Sequence, residues 1–356
     1  MKIGIPQEIK PFEGRVALIP AACTELVRDG HEVLVESGAG DNSGFSDADY
    51  ESRGVTIVAD ADTLYGEAEM VVKVKEPVAA EFPRLRSDHL LFCFLHLAAQ
   101  PELMAVLRDK GLTAVAFETV AENGHLPILQ PMSEVAGHIA AQVGAHLLHG
   151  PAGGKGLLLG GMPAARRGRV VVLGFGVVGE AAARSAAALG AEVTVFDKLP
   201  LRLGAARGVG ANVTALYPFP DEVAEEVARA DLLVGAVLIP GARTPHLIDR
   251  AAVASMGRGS VIVDVSVDQG GCVETIRPTD YGAPTYVEEG VVHFGVTNMP
   301  GAVPRTASEA LSAALARYVG ELAAPGWEGR RPALADAVNV RGGEIVLPAL
   351  RDVVWR

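Results

Sequence analysis

The chain is poor in cysteine, with three in 356 residues: Cys23, Cys93 and Cys272. They share no metal-ligand spacing, and Cys93 and Cys272 sit in or beside apolar stretches, so they read as buried free thiols. A reducing compartment, the cytoplasm, fits that pattern. Positive charge is also in deficit. Lys and Arg number 31 against 43 Asp and Glu, a net charge of -12, which excludes a basic nucleic-acid footprint. Local cations remain able to hold small anions. No uncharged apolar run reaches the length of a membrane span; the Ala-rich stretch 181–188 is broken by Arg184. The opening Met1-Lys2-Ile3-Gly4-Ile5-Pro6 lacks the apolar region of a secretory signal and reads as a first strand. No His/Cys/Asp cluster has metal-site spacing, so no metal is expected. No repeat of fixed period is visible.

What is present is an alternation of strand and helix patterns. Lys2 to Ile5, His31 to Glu36, Met70 to Lys75, Leu90 to Leu95 and Thr113 to Phe117 are expected strands. Pro20 to Asp29 and Pro101 to Lys110 are expected helices, each opened by Pro and closed near Gly. Ser133 to His149 reads as a long helix capped by Ser133. Gly137 and Gly144 within it imply close packing against another backbone. A second set of strands is expected at Arg169 to Leu173, Glu192 to Phe196, Leu232 to Ala236, Val261 to Val267 and Val291 to Val296. Thr306-Ala307-Ser308-Glu309 fits a capping box before a final amphipathic helix. The fold class is therefore α/β, with two Rossmann-like domains of mainly parallel sheet. Residues 131–304 are expected to form the dinucleotide-binding domain.

Val170-Val171-Val172-Leu173 leads into Gly174-Phe175-Gly176-Val177-Val178-Gly179. A lone GxGxxG is weak evidence, but here a strand precedes it, a small-residue helix follows, and the next strand ends at Asp197. Gly174 permits the tight turn, Gly176 lets a pyrophosphate approach the backbone, and Gly179 lets helix pack on strand. Asp197 suits the ribose hydroxyls and repels a 2′-phosphate, so NAD is favoured over NADP. Lys198 and Arg202 nearby keep NADP open.

Ligands in open α/β sheets bind beyond the carboxyl ends of strands, and four polar residues stand at such places. Arg15 either clamps a carboxylate or is a surface arginine. Lys75 either holds a carboxylate and polarises a carbonyl or simply reaches solvent. Lys73, on the same strand face, reads as serving structure or solubility. His96 suits proton transfer, or is a satisfied core histidine. Asp268, before Gln269-Gly270-Gly271, suits an ammonium or imine, or is a turn residue.

Several longer stretches carry a resemblance. They are Gly4-Ile5-Pro6-Gln7-Glu8 with Arg15-Val16-Ala17, Val72-Lys73-Val74-Lys75-Glu76-Pro77, Phe94-Leu95-His96-Leu97-Ala98, and Pro131-Met132-Ser133-Glu134-Val135-Ala136-Gly137. Gly235-Ala236-Val237-Leu238-Ile239-Pro240-Gly241-Ala242, Val267-Asp268-Gln269-Gly270-Gly271-Cys272 and Asn298-Met299-Pro300-Gly301-Ala302-Val303-Pro304 complete the set. Over nearly its whole length the chain resembles the NAD-dependent alanine dehydrogenases. The resemblance implies reversible deamination of L-alanine to pyruvate and ammonia in a homo-oligomer, a hexamer, with the active site in the cleft between the two domains and residues 1–130 with 305–356 expected to form a discontinuous substrate domain. It implies Arg15 and Lys75 as substrate-binding and His96 and Asp268 as catalytic. It implies a cofactor lining of Ser133, Val177, Val178, Asp197, Arg202, Val237, Leu238, Val267, Arg277, Val296, Thr297, Asn298 and Met299, beside the three turn glycines. Phe175 and the stretches Leu199-Pro200-Leu201, Tyr217-Pro218-Phe219-Pro220 and Thr306-Ala307-Ser308-Glu309-Ala310 depart from the family's usual residues. A nucleotide-binding transhydrogenase subunit, a partner of a membrane protein, is a rival reading. A related amino-acid dehydrogenase for another small oxoacid is a second. Retention of Arg15, Lys75, His96 and Asp268 speaks against the first.

Overall fold

The structure, a computed structural model, describes residues 1–237 and 244–351. It divides into two compact units, Met1–Met132 with Gly301–Arg356, and Ser133–Pro300. In the first unit the strands are β1 (Lys2–Ile5), β2 (Glu32–Glu36), β3 (Thr56–Val58), β4 (Met70–Val72), β5 (Leu90–Cys93) and β6 (Thr113–Ala116). All five pairings among them are parallel. Helices Pro20–Arg28 and Pro101–Lys110 begin on Pro, where its missing N–H costs nothing. A core of Leu34, Leu64, Leu91, Leu103 and Leu107 packs helices on this sheet. Continuous apolar runs such as Leu90-Leu91-Phe92-Cys93 are what a parallel strand covered on both faces requires.

The second unit carries β7 (Arg169–Leu173), β8 (Glu192–Phe196), β9 (Val213–Leu216), β10 (Leu232–Gly235), β11 (Val261–Asp264), β12 (Thr285–Glu288) and β13 (Val291–Phe294). Their order is β12-β13-β11-β10-β7-β8-β9, parallel except for the β12–β13 hairpin. The order reverses at β7, between β8 and β10, which is the switch point where ligands bind in such sheets. Helix Leu129–Leu147 packs on this unit through Gly137, where a Cβ would stand 2.3 Å from the Val178 carbonyl oxygen. Gly144, by contrast, meets the Leu232 side chain rather than backbone.

Two late strands, β14 (Val338–Arg341) and β15 (Glu344–Ile345), close the first sheet, whose order is β15-β14-β6-β5-β4-β1-β2-β3. β14 and β15 pair antiparallel, as do β14 and β6. Both sheets are thus mixed but mainly parallel.

Several boundaries differ from expectation. Helix Leu129–Leu147 starts before Ser133, so Ser133 is interior and caps nothing; Pro131 tolerates the first turn. Helix Pro304–Ala323 starts at Pro304, which places Thr306 and Ser308 inside it, and its N-cap Val303 makes no side-chain cap. Ser308 instead accepts the Val16 amide at 2.9 Å and Ser312 the Ile19 amide at 2.9 Å. β4 stops at Val72, β5 at Cys93 and β11 at Asp264, each short of the expected end. Just beyond each end a carboxylate takes backbone N–H groups.

Candidate active site

In the first unit, Arg15 is buried and held by Glu13. Its Nε donates to Glu13 Oε1 at 2.7 Å and its Nη2 to Oε2 at 2.5 Å, a bidentate pair, while Nη1 approaches the Met132 sulfur at 3.2 Å. Both members are buried, so their charges are locked to each other and to one direction. The amide of Val16 is fixed by Ser308, so the segment around Arg15 is anchored on both sides.

Lys75 follows β4. Glu8 Oε1 takes the amides of Val74 (2.6 Å) and Lys75 (3.1 Å), and the other Glu8 oxygen accepts from Lys73 Nζ at 3.2 Å. Lys73 is buried, paired as well with Glu81, which also accepts from Tyr65 Oη and the Val78 amide. Burial pulls Lys73 down, but Glu8 and Glu81 outweigh it and hold the ammonium above its usual range. Burial pushes Glu8 up, with Lys73 opposing. Lys73 is structural, as its pattern suggested. Lys75 differs: burial lowers it, Glu76 opposes, and Arg15 and Lys10 lower it further. Arg15 and Lys75 are therefore electrostatic neighbours. Glu76, buried and paired with Lys10, is held below the usual carboxylate range: burial pushes it up, but Lys75 and Lys10 prevail.

His96 lies just past β5 with φ +46, the left-handed region, uncommon for a residue bearing a side chain. Glu118, from the turn after β6, explains the bend. Its oxygens accept the amides of Leu95 (3.2 Å) and His96 (2.7 Å). Nδ1 of His96 stands 3.9 Å from Glu118 Oε1, and the ring stacks on Phe94 at 5.7 Å with 2° between planes. The imidazole is 44% exposed, so it is no core histidine.

In the second unit the glycine turn joins β7 to helix Val177–Ala188. Gly174 has φ +91, and a Cβ on Gly179 would lie 1.9 Å from the Gly174 carbonyl oxygen. A Cβ on Gly176 would meet nothing within 4 Å. That open face, before a helix N-terminus with no side-chain cap, fits a pyrophosphate. Phe175 turns its side chain into the core, and its amide donates to Asp197 Oδ2 at 2.8 Å. Asp197 also accepts from the Leu199 amide at 2.8 Å and faces Arg202 Nη1 at 3.5 Å. Val177 is exposed and Val178 half-buried at this turn.

Asp268 is exposed, in the turn Val267–Gln269, and Val267 is buried. The buried Asp264 shapes that turn. It accepts from the amides of Ser266 (2.9 Å), Cys272 (2.7 Å) and Val273 (3.1 Å). Burial pushes its carboxyl up, and these amides oppose. Ser266 Oγ donates to the Val237 carbonyl at 2.7 Å, tying the ends of β10 and β11 together. Leu238 lies outside the described residues. Arg277 is exposed and lies over the Tyr286 ring at 4.2 Å. Val296 and Met299 are buried, Thr297 is half-buried, and Asn298 has φ +71. Ser133 is half-buried on its helix.

Sequence reasoning passed over Glu13 and Glu118 altogether, took Glu8 only as part of a matching stretch, and read Asp264 as strand. Each acts through an amide or guanidinium distant in pattern, and no local periodicity marks it. Among the described residues, no group of three or more His, Cys, Asp and Glu is placed to hold a metal, the three thiols are buried and unpaired, and no helix is long and apolar enough to cross a membrane.

A parallel sheet with this glycine turn at its switch point and a carboxylate ending the next strand defines a dinucleotide-binding α/β protein. The chain belongs to the alanine dehydrogenase/PNT family. Residues 4–136 match the family's N-terminal domain and 140–348 its C-terminal domain. It is 50% identical to an alanine dehydrogenase of Bacillus subtilis, over 96% of this chain and 90% of that one. It is 48% identical to one of Halomonas elongata, over 99% and 96%. Among solved structures, an L-alanine dehydrogenase superposes with a TM-score of 0.96 at 49% identity, covering 99% of each chain. A transhydrogenase from Sinorhizobium meliloti superposes at 0.85 with 27% identity, covering 98% of this chain and 100% of that one.

Proposed function

We propose that the protein catalyses the reversible NAD-dependent oxidative deamination of L-alanine to pyruvate and ammonia. The observation that carries the substrate class is the pairing of two cations, Arg15 and Lys75, each backed by a carboxylate of its own unit. Such a pair suits a small oxoacid. NAD, when bound, supplies the two-electron acceptor for the hydride leaving the substrate Cα.

Arg15, with its guanidinium plane set by Glu13, binds the substrate carboxylate. Lys75 donates to the carboxylate or carbonyl oxygen and polarises it. His96 presents Nδ1 toward Glu118, leaving Nε2 to move protons. That nitrogen takes a proton from the water that adds to the imine carbon. It returns a proton to the amino group as ammonia leaves the carbinolamine, and the freed imidazole takes the hydroxyl proton as the carbonyl forms. Asp268 stabilises the cationic imine and ammonium. The turn glycines, Val177, Val178, Asp197, Arg202, Val237, Leu238, Val267, Arg277, 296–299 and Ser133 hold the dinucleotide. The first unit, 1–130 with 305–356, is the substrate domain and 131–304 the cofactor domain in this reading. The enzyme works as a homo-oligomer, a hexamer, in the cytoplasm, where buried unpaired thiols stay reduced; light scattering counts the subunits.

The test follows NADH oxidation with ammonia over a panel of oxoacids. Pyruvate is expected to give the highest kcat/KM. A higher value for glyoxylate or 2-oxobutyrate replaces alanine with another amino acid. Hydride exchange between nucleotides without oxoacid turnover replaces the reading with a transhydrogenase-like one.

A further inference from the structure

Glu76 follows Lys75 directly, is buried, and uses its two oxygens unequally. Oε1 accepts from Lys10 Nζ and, at 3.4 Å, from Gln100 Nε2. Oε2 is buried as well and has no hydrogen-bond partner among the described residues. The two donors come from separate segments. Lys10 belongs to the loop after β1, which also carries Arg15, and Gln100 closes the turn Leu97–Ala99 that follows His96. One carboxylate therefore joins the segments that present Arg15, Lys75 and His96.

A buried anionic oxygen without a donor is costly unless a cation offsets it. After burial, the charge of Lys75 is the largest influence on Glu76, and Glu76 is in turn the largest influence opposing burial at Lys75. The neighbouring carboxylates are committed elsewhere. Glu13 holds Arg15, and Glu8, which takes the Lys75 amide, pairs with Lys73. The Cys93 thiol at the end of β5 also feels Glu76, and burial keeps it neutral. Three cations, Lys10, Arg15 and Lys75, thus share two carboxylates, Glu13 and Glu76. One positive charge is left over, the complement of a single oxoacid carboxylate. Without Glu76 that surplus doubles. A guanidinium keeps its proton, so Lys75, already weakened by burial, is the group that yields.

We propose that Glu76 is a positioning residue for Lys75: anchored through one oxygen by Lys10 and Gln100, it supplies through the other the countercharge that keeps the Lys75 ammonium ready for an oxoacid. This rests on reading Lys75 as a substrate-binding cation. Lys10 acts against Lys75 in two ways. It is a like charge nearby, and it draws on the carboxylate that Lys75 needs. Removing Glu76 and removing Lys10 should therefore shift the same titration in opposite directions. A carboxylate that merely stapled Lys10 to the fold would give no such opposition.

The test is the pH profile of pyruvate kcat/KM in reductive amination with NADH and ammonia, on the full-length protein. Glu76→Gln keeps the shape and removes the charge. Its alkaline limb is expected to fall by about one pH unit or more, the usual effect of an adjacent opposite charge. Lys10→Met, at a partly exposed position, is expected to raise the limb, and Glu76→Asp to restore it toward that of the unaltered protein. Circular dichroism melts register any loss of stability separately. A limb that stays in place in Glu76→Gln overturns the proposal, even where stability drops. A limb that stays or falls in Lys10→Met also overturns it, and decides the matter should Glu76→Gln not fold. Absence of oxoacid turnover in the unaltered protein instead overturns the reading of the site on which the proposal rests.

Discussion

The two units build their polar clusters from different materials. The first holds charge with charge: Glu13 grips the Arg15 guanidinium, and Glu8 and Glu81 surround the Lys73 ammonium. The second works with backbone. Its glycine turn is shaped by the absence of side chains, and Asp197 and Asp264 accept amide N–H groups. Small-acid recognition needs fixed cations, and fixed buried cations need partners. Pyrophosphate recognition needs backbone amides and room. The first unit should therefore respond to changes of charge and pH, and the second to changes of volume.

The largest effect should come from His96, the proton-transfer group of the proposed mechanism. His96→Ala is expected to lower kcat by roughly 10²–10⁴-fold, the usual contribution of a general acid–base group. NADH binding, followed by fluorescence, should persist. Turnover near the unaltered rate would remove His96 from the mechanism. Next is Glu13→Ala, which strands the buried Arg15 charge. Breaking such a pair costs about 3–5 kcal/mol, read as a lowered denaturant midpoint, and pyruvate should restore part of the loss as a substitute anion. A midpoint unmoved by the substitution would show that the pairing is incidental.

Glycine substitutions probe the other side. Gly179→Ala drives a methyl against the Gly174 carbonyl and is expected to cost about 1–3 kcal/mol of stability. Gly176→Ala meets no protein atom, so stability should change by less than about 0.5 kcal/mol. NADH affinity should nonetheless fall. Equal melting losses in both variants would break the contrast between room for the chain and room for the ligand.

The pH dependence of the substrate side has a definite sign. Burial lowers Lys75 below its usual 10.5, with Glu76 opposing and Arg15 and Lys10 adding to the drop. The ammonium is present below that depressed pKa and lost as pH rises through it. The pyruvate kcat/KM, which reports free enzyme, should therefore bend downward on an alkaline limb below 10.5. Lys75→Arg, which stays charged, should move that limb up; an unmoved limb assigns it elsewhere. The smallest effect concerns Asp197→Ala, expected to narrow the preference for NAD over NADP, with Lys198 and Arg202 left to meet the phosphate. An unchanged ratio of kcat/KM values would place discrimination outside Asp197.

Strand interiors were legible because parallel strands covered on both faces are continuously apolar: Val170-Val171-Val172-Leu173 and Leu90-Leu91-Phe92-Cys93 are unmistakable. Strand ends were not. β4, β5 and β11 stop where Glu8, Glu118 and Asp264 take over amides, and two of those three carboxylates come from elsewhere in the chain. β9 and β14, short and weakly patterned, escaped notice for want of an apolar run. The cap readings at Ser133 and Thr306 failed because Pro131 and Pro304 let the helices start earlier. The polar residues that face ligand in the proposed mechanism were legible from type and position. The carboxylates that aim them were not, because their contacts are long-range.

The left-handed backbone at His96 exposes a conflict of interests within one residue. An L side chain in that region is held against a penalty of about 1–2 kcal/mol, and glycine would adopt the same angles freely. A laboratory selection for heat tolerance alone would be drawn toward His96→Gly, gaining stability while discarding the imidazole. In the proposed mechanism the imidazole justifies that strain: position 96 trades backbone ease for a proton-transfer group.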